Sequence, residues 1–301
     1  MSPRLSTALR ELAGTAAQVI AGGVGARFER ERLPPDDHRP WPVPRASWVM
    51  RQTWEDLAFL HWPLPRAALD GLLPPPLRAD VFDGSAWLGI TPFRLSRARG
   101  RGVPAVPWLS SFHEVNVRTY VTLDDRPGVV FFSLDAGSRL AVAGARAWYA
   151  LPYFFATGGV TARGGWTHVT SRRAHPAAPP ARLVASYRPI APVARAPAGS
   201  LEAWLTERYG LYAVTGDGQV WRADIHHVPW PLQRAEVRIE DNTLAGASGL
   251  AVSGPPALVH YSRSLEASIW PPRRLSRPAA RTPAPGGAAG VETASRRRRR
   301  A

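Results

Sequence analysis

At 301 residues with 45% apolar content and 12 Trp, the chain is long enough to bury one large core or two small ones, and its composition excludes wholesale disorder. All 38 basic residues are Arg and there is no Cys, which excludes a lysine Schiff base, a lysine general base, a thiol nucleophile, a thiolate metal site and disulfides. The net charge of +15 is uneven: residues 273–301 hold nine Arg against Glu292, residues 1–40 six Arg against five acids, and the remainder 23 Arg against 17 acids, leaving +8, +1 and +6. Most of the basic character therefore belongs to a tail, and the high charge does not imply a specific nucleic-acid partner.

Leu5, Leu9, Leu12, Ala16, Val19 and Ile20 recur at helical spacing and predict an amphipathic helix over residues 4–20. The apolar part, Leu12 to Ala26, is interrupted by Thr15, Gln18 and four Gly and is too short and weak to span a bilayer. With no transmembrane segment and no thiols, the expected location is the cytoplasm. Pro34-Pro35-Asp36-Asp37 breaks the chain, and a domain begins near Trp41.

A strand is predicted from Trp48 to Leu60, then a short helix from Arg66 to Leu72 stopped by Pro74-Pro75-Pro76. Further strands are predicted at Ala86 to Leu95, Phe112 to Val121, Val129 to Asp135, Tyr153 to Thr161 and Trp166 to Arg172. Others follow at Arg182 to Tyr187, Leu211 to Thr215, Val220 to His227 and Gln233 to Ile239. Gly216-Asp217-Gly218 reads as a hairpin turn. Two helices interrupt the series: Arg139 to Trp148, rich in Ala, and Leu201 to Arg208, capped by Ser200. Many short strands without βα alternation predict an α+β, mainly β chain, an antiparallel or mixed barrel or sandwich with a few peripheral helices. The expected organisation is residues 1–40 as helix and linker, 41–272 as the domain, and 273–301 as a disordered Arg-rich tail ending in Arg296 to Arg300.

Within the strand Phe112 to Val121, Glu114, Asn116, Arg118 and Tyr120 share one face, with Val115, Val117, Thr119 and Val121 on the other. The neighbouring runs Trp87 to Phe93 and Val129 to Leu134 are apolar and aromatic, so the polar row points to a polar-lined interior. No phosphate loop, nucleophile elbow, zinc-protease or calcium-loop motif is present, and no cofactor is implied. His226 and His227, with His61, His113 and His260, have no recurring ligand spacing, so a metal is not expected. His227 is the histidine expected to border a cavity or bond to backbone. Trp54, Trp62, Trp87 and Trp148 are expected in the core.

A series of ordered segments carries a resemblance. It begins with Phe59-Leu60-His61-Trp62, Phe82-Asp83-Gly84, Ala86-Trp87-Leu88-Gly89 and Thr91-Pro92-Phe93. It continues through Asn116-Val117-Arg118-Thr119-Tyr120-Val121, Phe131-Phe132-Ser133-Leu134-Asp135-Ala136 and Leu151-Pro152-Tyr153. Thr206-Glu207-Arg208-Tyr209-Gly210-Leu211-Tyr212, Pro229-Trp230-Pro231-Leu232-Gln233 and His260-Tyr261-Ser262 complete it. Across residues 48–272 these segments resemble the YqjF-like family of uncharacterised bacterial proteins, which is more distantly similar to acetoacetate decarboxylase. The resemblance implies a β-barrel or cone around an interior cavity. It does not bring the decarboxylase chemistry: where that enzyme has a Lys pair after a Pro, this chain has Leu151-Pro152-Tyr153-Phe154.

Such a cavity would use Arg118 to hold a carboxylate through its bidentate fork and Asn116 to orient it. Glu114 is the candidate acid-base group, and Tyr120 or Tyr153 the candidate donor to an oxyanion. Asp135, beside Ser133, and Arg146 are further ligand-binding candidates, each also readable as a structural partner. The competing reading is a Glu114–Arg118 ion pair that neutralises itself. The leading expectation is a soluble protein that binds a small anionic organic molecule, a carboxylate, with homo-oligomerisation possible. The alternatives are a lyase, hydrolase or isomerase acting on a carboxylate or keto compound, and an interaction protein recruited through its Arg tail.

Overall fold

The first predicted strand runs further than its sequence signal, from Met50 to Pro65 (β1), because apolar residues persist through Trp62 and Leu64 and only Pro65 ends the ladder. The computed structural model describes residues 33–105 and 110–275. After a 3-10 turn at Arg66–Leu69 come β2 (Arg78–Ala79), β3 (Ser85–Gly100), β4 (Phe112–Leu123), β5 (Arg126–Ala136), α1 (Arg139–Trp148) and β6 (Tyr153–Arg163). The chain continues through β7 (Trp166–Arg173), β8 (Arg182–Pro189), α2 (Leu201–Thr206), β9 (Gly210–Val214), β10 (Val220–His226) and β11 (Gln233–Asn242). It ends with α3 (Leu244–Ala247), β12 (Leu258–Ile269) and β13 (Arg273–Arg274).

Every predicted strand is present, and β12 is one the sequence reading missed. Its Ser262, Arg263, Ser264 and Glu266 dilute the apolar alternation, yet it pairs along its length with β1. The helix expected over Arg66 to Leu72 is a 3-10 turn, and the one expected over Leu201 to Arg208 stops at Thr206, with Ser200 capping it through the Ala203 N–H at 3.2 Å. Ser138 caps α1 in the same way. The helix predicted over residues 4–20 and the Arg run 296–300 lie outside the described residues. Ordered structure crosses both expected domain edges: His226 meets the Pro34 carbonyl, Arg39 donates to the Ile225 carbonyl, and β13 pairs with Trp221 and Arg222.

The sheet order β13-β10-β9-β5-β6-β7-β8-β11-β12-β1-β3-β4-β2 is closed twice, by β4–β5 and by β10–β12. The first contact closes a nine-strand barrel through β6, β7, β8 and β11. The second closes a smaller ring through β9 and β10. Both rings share the wall β5-β4-β3-β1-β12, so side chains on its two faces enter different interiors. Leu60, Leu88, Val115 and Val117 fill the nine-strand barrel with Leu183, Ala185 and Tyr187. Phe59, Phe93, Leu134, Leu211 and Ile225 line the other side.

A bulge at Asp56 makes this partition possible. Its φ of 49° breaks the period of two, so that Gln52 and Trp54 before it and Leu57 and Phe59 after it all face the smaller ring. The Tyr187 hydroxyl donates to the Asp56 carbonyl at 2.6 Å and the Tyr261 hydroxyl to its carboxylate at 2.7 Å. A second irregularity, where Val117 faces Ser133 but Arg118 faces Phe131, does the same for Phe131 and Leu134 in β5. Among the described residues no helix is long and apolar enough to cross a membrane.

Candidate functional site

The smaller ring encloses a cavity of about 520 Å³. Its walls come from the inward faces of β1, β3, β4, β5, β9, β10 and β12, with α1 across one end and the residues after α2 at the other. Leu140 and Trp148 of α1 and Val103 line the first end while remaining 69%, 59% and 39% exposed, so this end is the mouth. Most of the shaft is apolar or aromatic, including Leu57, Phe93, Phe131 and Trp230, with Trp54 stacked on Trp230 at 5.8 Å.

Arg118 projects from β4 toward the closed end. It fits there because its ladder partner is Gly89: a Cβ at that position would lie 3.3 Å from Arg118 Cγ and 3.4 Å from Nε. The guanidinium lies 5.3 Å from the Phe59 ring centre, and its Nη2 reaches the Leu205 carbonyl only at 3.5 Å. Among the described residues no carboxylate pairs with it, and its Nε is buried without a hydrogen-bond partner. Arg208 stands beside it, paired with Asp80 at 2.7 Å, with Nη2 left unsatisfied. One strand repeat along, Thr91 Oγ1 and Asn116 Oδ1, on opposed residues of β3 and β4, are also buried and unpartnered. Four unsatisfied polar atoms in one apolar cavity are a concentration that native interiors rarely leave without use.

Glu114 is 3% exposed and lies two further residues toward the mouth. Burial pushes its carboxyl up to about 8, against hydrogen bonds from Tyr153 and Asn116 that pull the other way. The Tyr153 hydroxyl donates to both carboxyl oxygens at 3.2 Å. The Glu114–Arg118 pair offered by the sequence does not form. Four residues of extended strand separate their Cα atoms by about 13 Å, and each head group has its own surroundings.

Of the remaining candidates, His227 also lines the cavity. Burial lowers its imidazole to about 3, so it stays neutral, with Nδ1 on the Val228 carbonyl at 2.7 Å. Tyr120 does not reach the cavity: its ring packs against Trp204 at 4.8 Å and its hydroxyl is 2.7 Å from His61 Nε2, behind the closed end. Asp135 takes the structural role that the sequence also offered, not the ligand-binding one. It is fully buried in a bidentate ion pair with Arg173 at 2.7 and 2.8 Å and accepts from Ser133. Arg146 lies on the outer side of α1 and holds the Tyr153 carbonyl at 2.7 Å. Trp62 and Trp87 are core, Trp54 lines the cavity, and Trp148 is exposed. Thr91, Arg208 and Phe59 were not singled out, although all three fall in the segments that carry the family resemblance. Among the described residues no group of three or more His, Asp or Glu is placed to hold a metal ion.

A mainly β chain with a closed nine-strand barrel and an interior cavity defines a class, and solved structures share it. The enduracididine biosynthesis enzyme MppR complexed with pyruvate superposes with a TM-score of 0.53 at 13% identity, over 78% of this chain and 93% of that one. An acetoacetate decarboxylase from Legionella pneumophila superposes with a TM-score of 0.51 at 12% identity, over 80% and 94%. The fold is that of the acetoacetate-decarboxylase-like proteins. Within it, residues 51–266 match the DUF2071 family, described as an uncharacterised conserved protein, and the chain belongs to that family. It is 42% identical over 234 residues to the uncharacterised protein YqjF of Bacillus subtilis (strain 168), covering 78% of this chain and 96% of that protein.

Proposed function

We propose that the protein binds a small organic carboxylate in the cavity of its smaller ring, without Schiff-base chemistry. Arg118 carries this reading: a guanidinium at the closed end of an apolar cavity, with no carboxylate partner among the described residues and Nε unsatisfied. A carboxylate there would gain charge-assisted hydrogen bonds in a region of low dielectric, and Arg208, Thr91 and Asn116 would complete its surroundings. The reading places the protein in the cytoplasm, where organic acids are available and a chain without Cys is at home.

MppR is recorded with pyruvate and with a condensation product of pyruvate and imidazole 4-carboxaldehyde, which makes short oxo acids the first probes. Titration calorimetry with pyruvate, acetoacetate and benzoate should detect binding by at least one of them. Arg118→Ala should weaken it by 1.5–3 kcal/mol, about the worth of a hydrogen bond to a charged group. Affinity unchanged in that variant would sink the reading.

Glu114 favours a catalytic version. A carboxyl pushed up to about 8 and bonded to the Tyr153 phenol is a proton donor at neutral pH, facing whatever Arg118 anchors. The reaction class would be a lyase, hydrolase or isomerase that moves a proton on an anchored carboxylate or keto compound. Turnover abolished by Glu114→Gln with affinity retained would support it. Binding without turnover across a broad panel would leave a binding protein.

A further inference from the structure

We propose that the ligand of this cavity is an amphiphilic monocarboxylate, with its head group at Arg118 and a long apolar tail running along the shaft to the mouth beside α1. This rests on the carboxylate reading above and adds the ligand's length and direction. The volume of about 520 Å³ lies within the roughly 300–1,000 Å³ of sites that enclose whole drug-sized molecules, and a three-carbon acid would fill a fraction of it.

The closed end of the cavity carries the guanidinium groups, and most of its shaft is apolar. The guanidinium groups of Arg118 and Arg208 stand at the closed end, the first without a carboxylate partner and the second already neutralised by Asp80. Beyond Asn116 and Thr91 most of the wall is apolar, through Phe93, Leu134 and Leu95 to Met50, Phe112 and Ile269, with Gln52, Ser110 and Arg99 among the residues at the mouth end. Met50 pairs with both Gly100 and Ile269, which places these residues at the end nearest Val103, away from Arg118. Glu114, buried in the shaft with the Tyr153 hydroxyl on its carboxyl, adds a hydrogen-bonding group there and no cation for a second carboxylate.

The helix at the mouth fits a tail. Leu140, Ala141, Gly144, Ala145 and Trp148 form one stripe of α1 on the cavity, and the small residues at its centre keep the shaft open. Leu140 and Trp148 flank them, and their exposure is the kind that a bound alkyl chain relieves.

The test is affinity against chain length, with butanoate, octanoate and dodecanoate titrated below their micellar concentrations and dodecanol as the uncharged control. Each buried methylene should tighten binding about threefold to fourfold, so octanoate should exceed butanoate on the order of a hundredfold. Arg118→Ala should reduce dodecanoate binding to that of dodecanol. Trp148→Ala should weaken dodecanoate and leave butanoate unchanged, and Ala145→Phe, which narrows the shaft by a different route, should do the same. Short acids bound through Arg118 with affinity flat or falling with length would overturn this inference and leave the carboxylate reading standing. No acid bound by protein that melts cooperatively would overturn both, and dodecanoate bound equally with and without Arg118 would overturn the placement of the head.

Discussion

Glu114 and Arg118 stand on one strand face, and the cavity treats them differently. Arg118 sets its guanidinium against the Phe59 ring face, 5.3 Å from its centre. Glu114 loses its charge because neither Tyr153 nor Asn116 compensates for its desolvation. A pH dependence follows. The folded-state value of about 8 lies above the ordinary 4.5, so the folded protein binds the proton more tightly than the unfolded chain. The stability this contributes is fully present below about 4.5 and is lost as pH rises through 8. Wild type should therefore lose stability between pH 5 and pH 9 relative to Glu114→Gln, by an amount on the order of 4 kcal/mol. Parallel melting curves of the two proteins across that range, with no divergence, would place the carboxyl in a more hydrated setting. Carboxylate binding should weaken above pH 8 in wild type but not in Glu114→Gln, since an ionised Glu114 repels the ligand.

At the scale of elements, β4 was legible because it alternates strictly from His113 to Val121, and a period of two is enough to divide its side chains between the two interiors. β1 and β5 were only half legible. Their cavity faces change parity at Asp56 and at Phe132, and a bulge has no signature in a hydrophobicity pattern. Asp56 has a positive φ and two tyrosine hydroxyls bonded to it. Asp56→Ala removes the acceptor for Tyr261 and the residue type that tolerates this backbone best. The expected loss is about 2–3 kcal/mol, a fall of roughly 5–10 °C in melting temperature. Asp56→Asn, which keeps both features, should lie much closer to wild type. Equal stability of all three would show that the bulge is held by its neighbours alone. Tyr120 escaped a correct reading for a related reason. It shares the face of Arg118, but the cavity ends before it, where Trp204 and His61 close over its ring.

At the scale of the whole molecule, two rings built on one shared wall should not unfold separately. β1, β3, β4, β5 and β12 contribute to both interiors, so losing either core strips one face from all five strands. Leu183 is fully buried in the nine-strand barrel, on a strand that the smaller ring does not use. Leu183→Ala should cost about 2–5 kcal/mol and still give a single transition, with the same midpoint by tryptophan fluorescence and far-ultraviolet circular dichroism. Two midpoints would mean that the rings melt independently. The sequence by itself determined the mainly β class, the polar row on β4 and the exclusion of lysine chemistry, because alternation, composition and absent residue types are local properties of a chain. It also carried the family in its ordered segments. Only the tertiary structure decided that Asp135 belongs to Arg173, that Arg146 and Tyr120 stand outside the cavity, and that Thr91, Asn116, Arg118 and Arg208 converge within it. Those facts depend on which strands become neighbours and where bulges turn their faces, and both are set when the sheet closes twice on itself.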